Sequence, residues 1–336
     1  MSVTIKSIAA EAGVSFQAVS AVLNNKNTSR VSSATGERIL DIAGKLGYKV
    51  NFGYKIMHGH KTRTVGIISA MRKLEKDAHI RELILKLMQQ LNLKGYATYF
   101  NNMMTVNEEE NLAQIRELIS RGTEHFIFIG SPRGHEKIEE EICRKKCTLI
   151  GWNSHFKRDL HTDGCSASAE LQDFLLEKSG NIPWLMMSGA EYFPDNRFTA
   201  LRKFYPLLTA SEVWKKHVIQ VPAMEWEEED FAGKAFELGY NGIAAHFQKY
   251  PDTRAVACYT DHFALGVLSW CSKNGLTVGK DIFLAGFNNI EAVRFNSSPI
   301  SSAEHPVQES IKILLQEMDK DQPFYEKINL KVILRS

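Results

Sequence analysis

The apolar positions of this chain keep two different rhythms. Over the first fifty residues they recur three and four apart: Ile5, Ile8, Ala9 and Ala12, then Val19, Val22 and Leu23, then Ile39, Ile42, Ala43 and Leu46. That spacing is one face of a 3.6-residue period and predicts three short helices. Thr4 stands where it can cap the first helix, which stops at Gly13, and Ser15 can cap the second. The third runs from about Ser33 to Leu46, before Gly47 ends it. Three short helices around one small shared core make a helix-turn-helix head.

From Val65 the rhythm changes to short apolar runs that alternate with longer amphipathic stretches. TVGIIS, YATYFN, EHFIFIG and CTLIGW form one set, and IPWLMMSG, HVIQV, TRAVACYT and DIFLAGF form a second. Strand-like runs separated by helical stretches predict an α/β body of two doubly wound lobes with parallel sheets. In such folds ligands sit at the carboxyl ends of the strands, and the cleft between two lobes is the natural small-molecule site.

Composition agrees with several domains. The chain has 336 residues, of which 44% are hydrophobic, enough to fill ordinary globular cores. No run approaches the roughly 18 apolar residues that span a bilayer, and the opening MSVTIKSIAA has no leader pattern, so the expected location is the cytoplasm, with no membrane partner. Cys143, Cys147, Cys165, Cys258 and Cys271 are scattered and odd in number, which predicts free thiols. The net charge of +2 hides an asymmetry: residues 1–63 carry nine Lys or Arg against three acids, a balance of +6, leaving −4 on the remainder. A basic head on a mildly acidic body predicts that the head meets a polyanion.

The outer face of the second helix carries Phe16, Gln17, Ser20, Ala21 and Asn24. In a helix-turn-helix head the first residues of that helix enter the major groove. There the Gln17 amide can donate to and accept from a base edge, while Phe16 can pack on a thymine methyl or a sugar. Thr4, Ser15 and Ser20 are placed for phosphate contacts that fix register.

Two stretches carry a resemblance. TIKSIAAEAGVSFQAVSAVLNN followed by VSSATGERILDIAGKLGYKVN resembles the DNA-binding head of the lac repressor family of bacterial transcription regulators, most strongly over residues 3–51. The resemblance implies that Phe16 and Gln17 are the base-reading pair and that Asn24, Tyr48 and Asn51 lie near the DNA backbone. Residues 51–63 fall where the family has a hinge helix that folds on operator DNA, and Met57 matches its apolar minor-groove wedge. There are departures: Ala21 stands where an Arg is usual, Gly53 and Tyr54 interrupt the hinge pattern, and Gly36 costs the third helix about 1 kcal/mol.

For the body the resemblance implies an effector-binding core of the periplasmic-binding-protein-like type I. The expected division is a head at 1–50, a hinge at 51–63 and an effector-binding and dimerisation core at 64–336. The first lobe would hold about 64–158 and 287–319, and the second about 159–286 and 320–336, with crossings near Asp159, Phe287 and Lys320. Arg197 matches a family Arg that grips ligand oxygens, Trp226 matches an aromatic that stacks on rings, and Asn288 stands where an effector-binding Asp is usual. Thr260 and Asp261 begin a helix at a strand end; Thr260 is favoured as a ligand contact, because Asp261 can serve as an N-cap. Ser69 and Trp152, at strand ends of the first lobe, face the same cleft. Asn288, together with Trp152 where a second acid is common, leaves the effector open among a modified sugar, an acidic sugar and a non-sugar.

Catalytic chemistry finds no anchor. There is no G-x-x-x-x-G-K-[ST], G-x-G-x-x-G or G-x-S-x-G stretch, and HEKIE at His135 has Glu139 where a zinc-protease motif needs its second His. The expectation is therefore no catalytic residue, no metal and no cofactor. The reading is a sequence-specific DNA-binding transcription regulator, a repressor, acting as a homodimer on a near-palindromic operator under a small-molecule effector such as a sugar or sugar derivative. The alternatives are a sugar-binding α/β protein with an incidental helical head, and a regulator that works without an effector.

Overall fold

The computed structural model describes residues 3–23, 31–48, 61–70, 78–103, 107–189, 195–224 and 230–336. The chain divides into two compact units, Met1–Thr62 and Arg63–Ser336.

The first unit is built on α1 (Ile5–Ala12), α2 (Phe16–Leu23) and α3 (Ser33–Lys45). Local chemistry sets each boundary. Ser7 N donates to Thr4 Oγ1 at 3.2 Å and Thr4 N donates to Ser7 Oγ at 3.0 Å, so two orphan donors at the start of α1 satisfy each other's side chains. Gly13 ends α1 at φ 62, a left-handed conformation that costs glycine nothing. Ser15 Oγ then accepts from Ala18 N at 3.2 Å and opens α2. Ile8, Ala9, Ala12, Val19, Ile39 and Ala43 form the buried core, with Val22, Leu23, Ile42, Leu46 and Tyr48 packed partly against it.

The second unit holds two six-stranded sheets. The first contains β1 (Thr64–Ser69), β2 (Ala97–Asn102), β3 (His125–Ile129), β4 (Thr148–Trp152) and β5 (Asp159–Asp163). The second contains β6 (Trp184–Ser188), β7 (Val218–Val221), β8 (Ala255–Cys258), β9 (Phe283–Phe287) and β10 (Ile300–Glu304). β11 (Tyr325–Asn329) then returns to the edge of the first sheet and β12 (Lys331–Ile333) to the edge of the second. The orders are β11-β5-β4-β3-β1-β2 and β12-β10-β9-β8-β6-β7, parallel throughout except where β12 runs antiparallel to β10. The eight apolar runs predicted as strands correspond to β1–β4 and β6–β9. β1 is buried along its whole length, as a parallel strand covered on both faces must be.

The lobe boundaries differ from the expected ones. β5 belongs to the first sheet, so the first crossing falls at Gly164 and not near Asp159. β10 belongs to the second sheet, which moves the next crossing from Phe287 to His305–Pro306; after it, the helix Val307–Glu317 packs in the first lobe's core. β11 lies in the first sheet and β12 in the second, so the last crossing is at Leu330 and not near Lys320. The cause is polarity: DLHTD, ISSAE and YEKIN lack the apolar pattern that marks a covered strand.

Arg158 secures the returning chain. Its buried guanidinium donates to the carbonyls of Leu149 (2.9 Å), Glu317 (2.8 Å), Lys320 (2.5 Å) and Gln322 (2.8 Å). Carbonyls at the end of the helix Val307–Glu317 thereby find a donor, which a helix terminus cannot supply from within.

Candidate functional site

Two places gather the predicted residues. On the head, Phe16 is 47% exposed and Gln17 is exposed beside it in the first turn of α2, while Val19 on the opposite face is fully buried. A large aromatic and an amide thus project from a helix start whose other face is committed to the core. Thr4 Oγ1 and Ser15 Oγ each accept one backbone N–H of their own helix. Ser20 is half-buried, and Tyr48 packs partly into the head core. Asn24, Asn51 and Met57 lie outside the described residues, as does the rest of the hinge pattern around Gly53 and Tyr54.

In the core, a cavity of about 390 Å³ opens between the lobes. That volume suits a small molecule. Trp152, Arg197, Thr260 and Asn288, each singled out from sequence, line it together with His79, Asn153, Tyr259 and His305. Strand ends supply much of the wall: Trp152 closes β4, Thr260 follows β8 and Asn288 follows β9.

Arg197 sits at the start of the helix Asn196–Arg202, where Asp195 accepts both from its backbone N (2.8 Å) and from Nη1 (2.9 Å). Its guanidinium lies 3.9 Å from the Phe287 ring centroid and 4.5 Å from that of Tyr259, a stacked setting that fixes its plane. Nε is buried without a partner. Thr260 occupies the cap position of the helix Asp261–Lys273, yet its hydroxyl makes no cap bond and is likewise buried and unpartnered. Trp152 donates from Nε1 to Ser310 Oγ at 3.2 Å, so only its ring is available to a ligand. Asn288 adopts φ 93, a left-handed conformation that Asn tolerates better than most residues, and its backbone N donates to Ala303 O.

Two predicted residues are not on this wall. Ser69 is fully buried at the end of β1. Asp261 is fully buried too, accepting from Ser302 Oγ at 2.7 Å and from Ile290 N at 2.8 Å; burial pushes its carboxyl up to about 7. It braces the loop that carries Asn288 instead of facing the cavity. Trp226 lies outside the described residues.

Sequence reasoning does not reach His79, Tyr259 or His305. Tyr259 adjoins Thr260 at a strand end, a position that could have drawn it in. His305 follows β10, whose serines hide the strand. Its ring stacks on that of His79 with centroids 4.0 Å apart and planes 3° from parallel. Burial pushes His79 down to about 4 and His305 well below the usual imidazole range. Among the described residues no group of three His, Cys, Asp or Glu is arranged to hold a metal ion, and no helix is long and apolar enough to cross a membrane. All five cysteines are free thiols.

Residues 4–51 match the family model for bacterial regulatory proteins of the lacI family, and residues 190–334 match a periplasmic binding protein-like domain. Over 337 residues the chain is 23% identical to the HTH-type transcriptional repressor PurR of Actinobacillus pleuropneumoniae serotype 3, covering 96% of this chain and 93% of that one. The lac repressor dimer bound to operator and the anti-inducer ONPF shares the fold with a TM-score of 0.70 at 16% identity, over 100% of this chain and 98% of that chain. A lacI-family regulator, CCPA of Weissella paramesenteroides with bound glucose, shares it with a TM-score of 0.60 at 13% identity, over 81% of this chain and 97% of that chain.

Proposed function

We propose that this chain, whose residues 4–51 match the lacI family of bacterial regulatory proteins and whose residues 190–334 match a periplasmic binding protein-like domain, is a sequence-specific DNA-binding transcription repressor whose interlobe cavity receives a small-molecule effector. It acts as a homodimer in the cytoplasm, each head taking one half-site of a near-palindromic operator, and it catalyses no reaction. The observation that carries this reading is the pairing of an exposed Phe16–Gln17 helix start with a core whose cavity holds buried, unpartnered polar atoms. A reading element and a sensing element then occupy one chain. Binding in the cavity shifts the balance between lobe arrangements, and a coupling of this kind is typically worth about 1–3 kcal/mol. The repressor relative and the operator-bound structural neighbour support the DNA role, and the glucose-bound neighbour supports a sugar or sugar derivative as effector.

The test is selection of bound sequences from a random double-stranded DNA pool by the full-length protein, followed by binding of the winner at two salt concentrations. A palindromic consensus retained at the higher salt is the expected result. Enrichment of no sequence, with binding that vanishes as salt rises, would reduce the head to counterion-release affinity and end the proposal.

A further inference from the structure

The cavity wall is poor in groups that can only accept. Among the described residues that line it there is one cation, Arg197, and no carboxylate. Three of these residues each carry a buried polar atom with no partner: Arg197 Nε, Thr260 Oγ1 and His305 Nδ1. The first only donates, and the other two can donate. Of the acids near them, Asp261 is committed to Ser302 and Ile290 and Asp195 is paired with Arg197, and position 288 is an amide. Each hydroxyl of a neutral sugar brings a donor that needs an acceptor on the wall, whereas a carboxylate brings acceptors alone.

Charge then becomes the difficulty. Arg197 is already paired with Asp195 at 2.9 Å, so that pair is neutral, and among the described lining residues no other cation compensates an entering anion. The adjoining cavity of about 540 Å³, which shares His79, Asn288 and His305, does not remedy this. Its charged lining is Glu82, Glu304 and Glu309 against Lys86, Arg294 and Lys331, which balance, and Lys86 is bonded to Glu82. Glu82, on the same helix as His79, favours a charge on that ring and Arg81 opposes it, while Arg197 opposes a charge on His305. What remains on the wall is the stacked His79–His305 pair, neutral in the free protein. At 4.0 Å the two rings cannot both be charged, so the pair has room for one proton.

We propose that the interlobe cavity takes a small organic acid, of the aldonic or uronic acid kind, and that the His79–His305 pair gains one proton from solvent when the ligand's carboxylate arrives. The inference rests on the reading of the cavity as an effector site. The carboxylate stays ionised, buffer supplies the proton, and the imidazolium completes the charge that Asp195 takes from Arg197.

The experiment uses the full-length protein with matched probes: D-gluconate against D-glucitol, and D-glucuronate and D-galacturonate against the corresponding hexoses. Calorimetry at one pH in phosphate and in Tris gives the number of protons taken up. At least one acid is expected to bind tenfold or more tightly than its neutral partner, with uptake close to one proton. Its Kd should rise about tenfold per pH unit above the bound pair's titration. His305→Gln should abolish the uptake and weaken the acid at least tenfold; if that variant fails to fold, His79→Asn reads the same quantity. A neutral sugar that binds as well as its acid, or an acid that binds without a proton, would overturn the proposal and leave the effector reading standing. Absence of binding by every probe would overturn both.

Discussion

Asp261 and Ser302 meet at 2.7 Å with neither side chain exposed, joining the start of the helix Asp261–Lys273 to β10 in the middle of the second sheet's edge region. The Ser302 hydroxyl also accepts from Asn289 N at 3.0 Å, and the other Asp261 oxygen accepts from Ile290 N at 2.8 Å. One buried carboxylate therefore sets the backbone on the C-terminal side of Asn288. Burial raises its folded-state value from 3.8 to about 7, so the folded protein prefers the protonated form. The stability this group contributes is fully present below about pH 4 and is lost as pH rises through about 7, at about 1.4 kcal/mol per unit in between. Urea unfolding of the native protein and of Asp261→Asn at pH 5, 6, 7 and 8 isolates the effect. The variant should gain on the native protein as pH rises and stop gaining above about 7; two parallel curves would show that the carboxyl titrates normally.

The same two residues explain how much of the molecule could be read from its sequence. Most of β1–β4 and β6–β9 were legible because strands covered on both faces must be apolar, while β2 at the sheet edge was legible from its short aromatic run, and the head was legible because two caps and three stripes agree. β10 was not, since Ser301 and Ser302 look solvent-facing yet are fully buried, with their hydroxyls satisfied by Arg335 and Asp261. A polar residue can be interior when its partner comes from forty positions away, and no local pattern announces that. Missing β10 misplaced the second crossing, and with it His305. The cavity residues that were found, Trp152, Thr260 and Asn288, end or follow apolar strands, and Arg197 opens a helix; His305 follows the polar β10, and His79 opens the helix Ala78–Leu93 without a strand before it to mark the place.

Gln17 projects from the first turn of α2 with Val19 anchoring the opposite face. An amide that donates and accepts on one base edge is worth about 1–3 kcal/mol of discrimination. Gln17→Ala should therefore relax the consensus at one position in each half-site and lower specific affinity by roughly tenfold or more. The slope of binding against salt should stay unchanged, because no phosphate charge is lost. A uniform loss over all sequences, measured by repeating the pool selection with the variant, would place Gln17 on the backbone and not on a base.

Gly36 lies inside α3, and a Cβ added there would meet nothing within 4 Å. Ordinary helical backbone with open space around it means that glycine brings only its entropy cost, about 1 kcal/mol against alanine. Gly36→Ala should raise hydrogen-exchange protection of the α3 amides about fivefold and leave the DNA consensus as it was. Protection that falls instead would mean that this helix face needs the bare backbone.

Thr260 offers the sharpest separation of a structural role from a binding role. It stands at a helix cap position, where threonine ordinarily accepts from the first free N–H groups, but its hydroxyl makes no such bond and has no other partner. A buried hydroxyl without a partner costs the free protein about 1 kcal/mol or more, so Thr260→Val, which keeps the shape, should leave thermal stability unchanged or raise it. If the hydroxyl instead waits for a ligand, the same substitution should weaken effector binding by about five- to twentyfold, the value of one hydrogen bond made only in the complex. Stability and affinity then move in opposite directions, which a cap cannot produce: loss of a cap lowers stability and touches binding only through it. A thermal melt and a calorimetric titration of the variant with a ligand of the native protein decide between them. A stable variant that binds as the native protein does would remove Thr260 from the site and leave Arg197 and Asn288 to hold the ligand from the second lobe.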